Sequence, residues 1–261
     1  MEDSPKTKKS LGQHWLRDAD SLQAMCEASE INNQDNVLEI GPGLGTLTKL
    51  LVEKANSVTA VEFDQDLASS LPSRIKTDNL EVVNQDILQF DLGKMPKKYK
   101  LVANIPYYLT SNLIRRISES DNPPQVAVLL IQKEVAERVV AEPGDMSLLS
   151  VTAQYYWQTS LGQLVPAELF EPAPKVDSQI VILKHRSSPL FEDVEPKEFF
   201  QIVKAGFSQR RKTLLNSLSA GLQIDKSTIT QVCQDANIEP SRRPQTLSLE
   251  DWHNIYISLK T

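Results

Sequence analysis

The stretch Val37-Leu-Glu-Ile-Gly-Pro-Gly-Leu-Gly-Thr46 combines an apolar run with a loop that contains three glycines. Val37–Ile40 has the pattern of a buried β-strand, and Thr46–Lys54 has the pattern of an amphipathic helix. Glycines between them let the backbone turn with positive φ and approach a ligand closely. A strand that passes through such a loop into a helix predicts an α/β sheet whose ligand lies at the carboxyl ends of the strands.

Short apolar runs alternate with helical stretches throughout residues 37–186, which predicts a largely parallel sheet covered by helices. A short proline-rich loop, 166–177, joins the last two runs, and it has no room for a crossover helix. These two runs therefore predict an antiparallel hairpin at the sheet edge. The predicted strands are Val37–Ile40, Val58–Val61, Leu80–Val83, Leu101–Ala103, Val126–Ile131, Gln158–Val165 and Gln179–Lys184.

The pattern changes after residue 186, where helical periodicity alone continues to the end of the chain. Ser248 is a predicted N-cap, with Asp251 three residues later in a position that resembles a capping box. We therefore divide the chain into an α/β domain, 1–186, with an N-terminal arm, 1–20, and a small all-α domain, 187–261. The predicted helices of the second domain are Lys197–Ser208, Arg211–Ala220, Lys226–Ala236 and Leu249–Leu259.

The chain carries a formal charge of −6, which argues at first sight against a polyanionic partner. Residues 187–261 contain nine basic and nine acidic side chains, so the acidic excess lies entirely in residues 1–186. Salt screens distant charges over about 8–10 Å, and a local basic cluster such as Arg210–Lys212 can still meet phosphates. Net charge therefore does not exclude a nucleic acid partner.

Apolar residues make up 40% of the chain, but none of its runs approaches the roughly 18 residues of a membrane span. The N-terminus, MEDSPKTKKS, lacks the apolar core of a signal peptide, so we expect a cytoplasmic protein that does not act at a membrane. Cys26 and Cys233 are far apart and lack the CxxC spacing, which predicts two buried or incidental thiols rather than a disulfide or a metal site. With three histidines in the chain, we expect no metal site.

The glycine loop does not fit a dinucleotide fingerprint, because Thr46 occupies the position of the third glycine in Gly-x-Gly-x-x-Gly. Glu39-Ile-Gly-Pro-Gly-Leu-Gly45 instead resembles motif I of methyltransferases that use S-adenosyl-L-methionine. That cofactor has no phosphate and needs only close backbone passage beside its amino-acid part. A plain tight turn between strand and helix is the alternative interpretation of the loop alone.

Two carboxylates at the next strand ends favour the cofactor interpretation. Glu62 ends the second predicted strand, where a carboxylate can accept hydrogen bonds from both ribose hydroxyls. Asp86 follows the third strand and can accept a hydrogen bond from the adenine amine. Glycine loop, Glu62 and Asp86 at consecutive strand ends together predict S-adenosyl-L-methionine as the cofactor.

The fourth predicted strand ends in Asn104-Ile-Pro-Tyr107, which resembles motif IV of methyltransferases acting on N6 of adenine or N4 of cytosine. The lone pair of an exocyclic amine is delocalised into the ring, so the amine is a poor nucleophile. The Asn104 side-chain oxygen and the Ile105 carbonyl can hold its N–H groups and direct the lone pair toward the methyl group. Tyr107 offers a face for the flipped base. For Tyr108 we expect a packing role.

With these motifs in place, nearly the whole chain resembles the small-subunit ribosomal RNA adenine N6,N6-dimethyltransferases, the family whose loss gives kasugamycin resistance. Taken alone, the fourth strand end could be a capped turn with a core tyrosine. That interpretation does not explain why five segments resemble the family in the same order along the chain. The segments are Lys8-Lys-Ser-Leu-Gly-Gln-His-Trp-Leu16, Glu39-Ile-Gly-Pro-Gly-Leu-Gly45, Asn104-Ile-Pro-Tyr107, Phe170-Glu-Pro-Ala-Pro-Lys-Val-Asp-Ser178 and Phe207-Ser-Gln-Arg-Arg-Lys-Thr-Leu214.

The resemblance implies the roles of the remaining site residues. His14 and Leu16 would contact the cofactor, although many family members have Asn-Phe where this chain has His14-Trp15. Phe170 would form the second aromatic face, so that the flipped adenine lies between Tyr107 and Phe170; its alternative is a core phenylalanine. The family's other cofactor positions correspond to Gly41, Glu62, Asp86 and Asn104.

The resemblance also implies a substrate and a partner. Arg210, Arg211 and Lys212 would contact the ribosomal RNA backbone, which sets position rather than sequence. The expected reaction is dimethylation of N6 on two adjacent adenosines near the 3′ end of 16S RNA in the small ribosomal subunit, carried out by a monomer. A large-subunit RNA methyltransferase of the antibiotic-resistance type and a non-catalytic assembly or transcription factor share the fold and remain alternatives. An NAD dehydrogenase is disfavoured by the glycine loop.

Overall fold

A computed structural model describes residues 12–209 and 211–261 of the chain. These residues form two compact units. The first comprises the described residues up to Glu137 together with Trp157–His185, and the second comprises Arg138–Tyr156 and Arg186–Thr261. The division from sequence placed residues 138–156 with the sheet, whereas the structure packs them with the C-terminal helices. The reason is burial, because Val151 and Tyr155 lie in the helical core.

The elements of the chain follow the predicted order closely. The strands are β1 (Trp15–Leu16), β2 (Asn36–Ile40), β3 (Ser57–Glu62), β4 (Leu80–Asn84), β5 (Lys100–Asn104), β6 (Val126–Gln132), β7 (Trp157–Val165), β8 (Phe170–Glu171) and β9 (Ser178–His185). The α-helices are α1 (Ala19–Ala28), α2 (Thr46–Lys54), α3 (Gln65–Arg74), α4 (Thr110–Ser118), α5 (Lys133–Val139), α6 (Leu148–Tyr156), α7 (Pro196–Phe207), α8 (Leu214–Leu222), α9 (Lys226–Asp235) and α10 (Leu249–Lys260).

The main sheet has the strand order β4-β3-β2-β5-β6-β9-β7. Strands β4, β3, β2, β5 and β6 are parallel, while β9 runs antiparallel to both β6 and β7. The predicted parallel sheet and its antiparallel edge hairpin are therefore confirmed. The register pairs Ile40 with both Val61 and Ala103, which brings the carboxyl ends of the central strands to one edge.

The central strands read as nearly continuous apolar runs because helices cover both faces of a parallel sheet. Val128 on β6 and Val37 on β2 are fully buried, and they share a core with Met25 of α1 and Leu51 of α2. Helix α1 begins where Asp18 accepts a hydrogen bond from the Ser21 backbone N–H at 2.8 Å. Packing of these helices against the sheet holds the strand ends in fixed positions.

The second unit is a helical bundle around an aromatic core. The ring of Tyr155 on α6 stacks on Phe199 of α7 with centroids 5.2 Å apart, and Trp252 of α10 is fully buried. The predicted capping box of α10 is confirmed. The Ser248 side chain accepts from the Asp251 N–H at 3.0 Å, and the Asp251 carboxylate accepts from the Ser248 N–H at 3.0 Å.

Helix α8 begins later than predicted. The pattern from sequence placed its start at Arg211, but α8 begins at Leu214. The N–H groups of Leu214 and Leu215, which lack partners inside the helix, donate to the carbonyls of Arg242 (2.7 Å) and Pro240 (3.1 Å). Because a distant loop accepts these bonds, a tertiary contact sets the helix start.

Two further predictions concern the whole chain. Cys26 and Cys233 are both free and buried, as predicted. Within residues 12–209 and 211–261, every helix is too short or too polar to span a lipid bilayer.

Candidate functional site

A cavity of about 190 Å³ opens at the carboxyl ends of β2, β3, β4 and β5, with room for far more than a single water. Its lining combines the glycine loop, the polar residues at the strand ends and the described part of the N-terminal arm. All the residues predicted for cofactor and target base, drawn from segments far apart in the chain, meet here. They are His14, Leu16, Gly41, Glu62, Asp86, Asn104, Ile105, Tyr107 and Phe170.

The glycine loop presents bare backbone to this cavity. Gly41 has φ +66°, and its N–H donates to the Val61 carbonyl at 2.9 Å. A Cβ built on Gly41 would find only the Asn104 carbonyl within 4 Å, at 3.8 Å. Gly43 has φ +56°, and a Cβ there would lie 2.6 Å from Trp15 Cζ3. The first glycine thus leaves space for a ligand, while the second makes room for the indole of the arm.

Glu62 holds the loop in place from the end of β3. Its Oε2 atom accepts from the Gly43 N–H at 3.1 Å, and Oε1 accepts from the Asp64 N–H at 2.9 Å. Burial raises its pKa, and these backbone donors oppose the shift. A carboxylate has about four lone-pair sites, so both oxygens can still accept from a ligand. Its structural role in fixing the loop was not anticipated from sequence.

Glu39 contributes a second buried carboxyl that the site prediction did not include. It is 1% exposed and lines the cavity, and its Oε2 has no hydrogen-bond partner among the residues that the structure describes. Burial raises its pKa to about 8. An acidic residue inside an apolar strand run was the available signal, because such a residue rarely lies in a core unpaired.

Asp86 and Asn104 complete the polar rim of the cavity. Asp86 Oδ1 accepts from the Leu88 N–H at 2.9 Å, which fixes the carboxylate at the end of β4. Asn104 is the last residue of β5, and the buried Ile105 follows it. These groups are acceptors, and they can hold amine N–H groups within the same cavity.

Tyr107 lies directly after this strand end, and its position is set by a residue 71 positions further along the chain. Its hydroxyl and the Ser178 hydroxyl are 2.8 Å apart and form a hydrogen bond. Ser178 is fully buried at the start of β9. Burial raises the pKa of Tyr107, so the phenol is neutral at physiological pH. The ring is therefore held in place by its hydroxyl end.

The described part of the arm crosses the glycine loop and reaches the Phe170 segment. Strand β1 pairs with β8, with Leu16 opposite Phe170. The Leu16 carbonyl accepts from the Thr46 hydroxyl at 3.1 Å, and His14 Nδ1 donates to the Pro172 carbonyl at 2.6 Å. The pairing of β1 with β8 was not foreseen, because two-residue strands leave no periodic signal in the sequence.

The aromatic residues of the site differ in their surroundings. Phe170 is 5% exposed and belongs to the core of the first unit while also lining the cavity. His14 stacks beside Tyr107 with ring centroids 6.1 Å apart. Tyr108 is 66% exposed at the cavity rim, so the expectation that it packs in the core was wrong. The chain turns after Pro106 in a short 3₁₀ segment, which directs this second phenol outward.

The predicted RNA-binding residues lie elsewhere in the chain. Arg211 and Lys212 are exposed in the turn before α8, and neither lies on the helix that the sequence predicted for them. Arg210 lies outside the described residues, as do residues 1–11 of the arm. Among the residues that the structure describes, no group of His, Cys, Asp or Glu is arranged to hold a metal ion.

The strand order, the edge hairpin and a glycine-lined cavity at the strand ends define a class I methyltransferase fold. The family model of ribosomal RNA adenine dimethylases matches residues 4–255. The chain belongs to this family, and it is a ribosomal RNA methyltransferase. A curated relative from Dehalococcoides mccartyi (strain CBDB1), a ribosomal RNA small subunit methyltransferase A, is 41% identical over 255 residues, 96% of this chain and 87% of the relative.

Two solved structures share this fold over nearly the full chain. A dimethyladenosine transferase from Plasmodium falciparum aligns with a TM-score of 0.79 at 27% identity, covering 95% of this chain and 98% of that one. The 23S rRNA methyltransferase ErmE aligns with a TM-score of 0.75 at 28% identity, covering 95% of this chain and 100% of that one. Similarity to both enzymes confirms the fold. By itself it does not distinguish which ribosomal subunit carries the RNA substrate.

Proposed function

We propose that the protein dimethylates N6 of two adjacent adenosines near the 3′ end of 16S RNA in the small ribosomal subunit, with S-adenosyl-L-methionine as cofactor. One observation carries the proposal: Asn104 and Ile105 share a single cavity with the glycine loop and with Glu62 and Asp86. Acceptors for an amine thus lie beside groups suited to a nucleoside. The curated relatives at about 40% identity, which are named for the small subunit, support this substrate.

The residues of the cavity fit the cofactor. The open face of Gly41 gives room for close backbone passage, and Glu62 has acceptor capacity left for ribose hydroxyls. Asp86 can accept from the adenine amine, while His14 and Leu16 close the cavity from the arm. When bound, S-adenosyl-L-methionine supplies the methyl group on a sulfonium.

The chain's own residues would then orient the target amine. The Asn104 side-chain oxygen and the Ile105 carbonyl accept its N–H groups and direct the nitrogen lone pair toward the methyl group. Tyr107 and Phe170 enclose the flipped base, which enters only after it leaves its own stack. Orientation and preorganised acceptors can supply the rate without a strong base.

Positioning on RNA would depend on the second unit. Arg211 and Lys212 lie in the turn before α8, where long basic side chains can reach phosphates. We assign the same role to Arg210, their neighbour in sequence. We propose that the chain acts as a monomer. Because the proposed substrate is a small ribosomal subunit during assembly, we expect the reaction to take place in the cytoplasm.

The test incubates the purified protein with labelled S-adenosyl-L-methionine and small subunits that lack these methyl groups. We expect N6,N6-dimethyladenosine at two adjacent positions near the 3′ end of the RNA. Asn104→Ala should reduce methyl transfer by about 100-fold or more, because a preorganised acceptor is lost. Asn112→Ala, an exposed asparagine on α4, is the matched control and should keep full activity.

Each other outcome contradicts the proposal in a distinct way. Transfer to naked large-subunit RNA, without transfer to small subunits, would identify the enzyme as a large-subunit methyltransferase, like the structural neighbour ErmE, a 23S rRNA methyltransferase. Tight binding to small subunits with no methyl transfer to either RNA would identify a non-catalytic assembly factor.

A further inference from the structure

Tyr108 is an exposed aromatic residue at the cavity rim to which the proposed reaction gives no role. It is 66% exposed and lines the cavity beside Tyr107. Its neighbours in the same 3₁₀ segment are held by the protein, because the Tyr107 hydroxyl is bonded to Ser178 and Leu109 is buried. An exposed ring leaves a large apolar surface in water, so a bound group that covers it gains affinity.

The backbone around Tyr108 fixes where the ring lies. Pro106 begins the turn with φ −56°, and the short 3₁₀ segment Tyr107–Leu109 follows it. A Cβ built on Gly12 of the arm would lie 3.8 Å from both Cδ1 and Cε1 of Tyr108. One edge of the ring therefore faces the arm backbone, while most of the residue stays exposed. A ring that is held before binding loses little conformational freedom when a partner stacks on it.

Among the described residues, the cavity lining contains two strongly exposed large apolar side chains, and they lie at different strand ends. Phe63 is 61% exposed and follows Glu62 at the end of β3, beside the groups assigned to the cofactor. Tyr108 follows Asn104–Tyr107 at the end of β5, the segment assigned to the target base. The position of Tyr108 therefore favours the RNA over the cofactor as its ligand.

Removal of the target base from the RNA stack leaves the neighbouring base without one of its stacking partners. A flipped adenine enters the cavity while its neighbour stays at the entrance, and the lost stacking costs free energy. Aromatic side chains bind unstacked RNA bases through their faces. Every base has such a face, so this contact supplies affinity without reading the sequence.

We propose that Tyr108 stacks on the base that flanks the target adenosine and so stabilises the RNA with its target base flipped out. The inference rests on the proposed function and adds a positioning residue outside the pocket for the target base. Because the ring adjoins the pocket that the flipped adenine enters, an RNA base is the partner of matching chemistry that must pass beside it. The contact holds the unstacked neighbour at the entrance while Asn104 holds the amine inside.

Methylation kinetics on small subunits that lack the methyl groups test the role of the ring. Tyr108→Ala should lower kcat/KM for the subunits about tenfold, within the usual loss when one base loses its aromatic partner. Tyr108→Leu keeps apolar area without an aromatic face and should lose almost as much. Tyr108→Phe keeps the aromatic face and should restore most of the wild-type rate. Equal rates for the alanine, leucine and wild-type proteins would overturn the inference.

Two controls separate stacking on RNA from other effects. Leu161→Ala removes a 39% exposed apolar side chain on β7, outside the cavity lining, and should leave kcat/KM unchanged. The affinity of Tyr108→Ala for S-adenosylhomocysteine, measured by titration calorimetry, should equal that of the wild type. A fall in that affinity as large as the fall in kcat/KM would assign Tyr108 to the cofactor and overturn the inference.

A change in the RNA identifies the base that Tyr108 contacts. Two kinds of small subunit are reconstituted, each with an abasic nucleotide in place of one of the two adjacent adenosines, so that each has a single target. Whichever side of the target Tyr108 stacks on, one of these RNAs lacks the base that it would contact. Tyr108→Ala should therefore lower the rate about tenfold with one RNA and have no effect with the other. A tenfold loss with both RNAs would overturn the inference.

The proposed function and the role of Tyr108 would fail in different ways. No methyl transfer by the wild-type protein to small subunits would contradict the proposed function. Transfer by the wild-type protein at a rate that Tyr108→Ala leaves unchanged would refute only the role of Tyr108.

Discussion

At the scale of single residues, the hydrogen bond between Tyr107 and Ser178 links the two halves of the target-base site. The two hydroxyls come from segments 71 residues apart and meet at 2.8 Å. Ser178 ends the Phe170-Glu-Pro-Ala-Pro-Lys-Val-Asp-Ser178 segment, and this bond gives its last residue a physical role. Tyr107 cannot tilt freely while its hydroxyl is held, which limits the ring orientations that a flipped base can meet.

A double-mutant cycle measures this link. Ser178→Ala should lower the free energy of unfolding by about 1 kcal/mol, because the Tyr107 hydroxyl loses its partner. Tyr107→Phe should have a similar effect, and the two changes together should cost clearly less than their sum. Urea unfolding of the four proteins provides the measurement.

Tyr108→Phe is the matched control for this cycle. Its ring is 66% exposed, so removal of the hydroxyl should change the free energy of unfolding by less than about 0.5 kcal/mol. Additive effects of Ser178→Ala and Tyr107→Phe would show that the two hydroxyls do not stabilise each other in solution.

At the scale of elements, the arm and the glycine loop are built to fit one another. Trp15 on β1 packs against Gly43, where a Cβ would lie 2.6 Å from Cζ3 of the indole. The same arm pairs with β8, which carries Phe170. One short strand therefore connects the loop that faces the cofactor with the segment that faces the target base.

The Gly43→Ala substitution should distinguish the two reasons why this position is a glycine, which are its positive φ and its close contact with the Trp15 indole. In the wild-type chain we expect a loss of about 2–4 kcal/mol, from positive-φ strain and from the clash with the indole. In a Trp15→Ala background the clash is absent, and the same change should cost about 1–2 kcal/mol from strain alone. Urea unfolding measures both values, and equal costs in the two backgrounds would show that the indole contact does not require a glycine.

At the scale of the whole molecule, the helical unit is assembled from two separate pieces of chain. Residues 138–156 supply Val151 and Tyr155 to a core that also contains Phe199 and Trp252. The chain leaves this unit after Tyr156 and returns at Arg186, whose N–H donates to the Tyr156 carbonyl at 3.1 Å. The ends of the two pieces, Tyr156 and Arg186, are therefore adjacent, and the chain between them forms β7, β8 and β9.

This arrangement predicts the behaviour of isolated fragments. Residues 187–261 alone should lack a cooperative thermal transition, because the aromatic face of α7 loses Tyr155 as its partner. Residues 138–156 joined to 186–261 by a short Gly-Ser linker should restore that transition and the near-ultraviolet circular dichroism of packed aromatic rings. A cooperative transition at the same temperature in both fragments would contradict the prediction.

Much of the site could be predicted because its residues follow strands with clear local patterns. Gly41, Glu62, Asp86 and Asn104 each lie where an apolar run ends, and parallel strands bring such ends to one edge. Glu39 was not anticipated as part of the site, because its significance lies in the burial around it. The apolar run around Glu39 was a signal of burial, but the burial itself depends on every element packed against the side chain.

The amino-acid sequence by itself determined the parallel sheet, its edge hairpin, the glycine loop and the helical character of the C-terminal region. Each of these depends on periodicity and turn chemistry within a few residues. Only the tertiary structure decided the pairing of β1 with β8, the start of α8, the position of residues 138–156 and the burial of Glu39 in the cavity wall. Each of these depends on contacts between residues distant in the chain, whose energies no local pattern encodes.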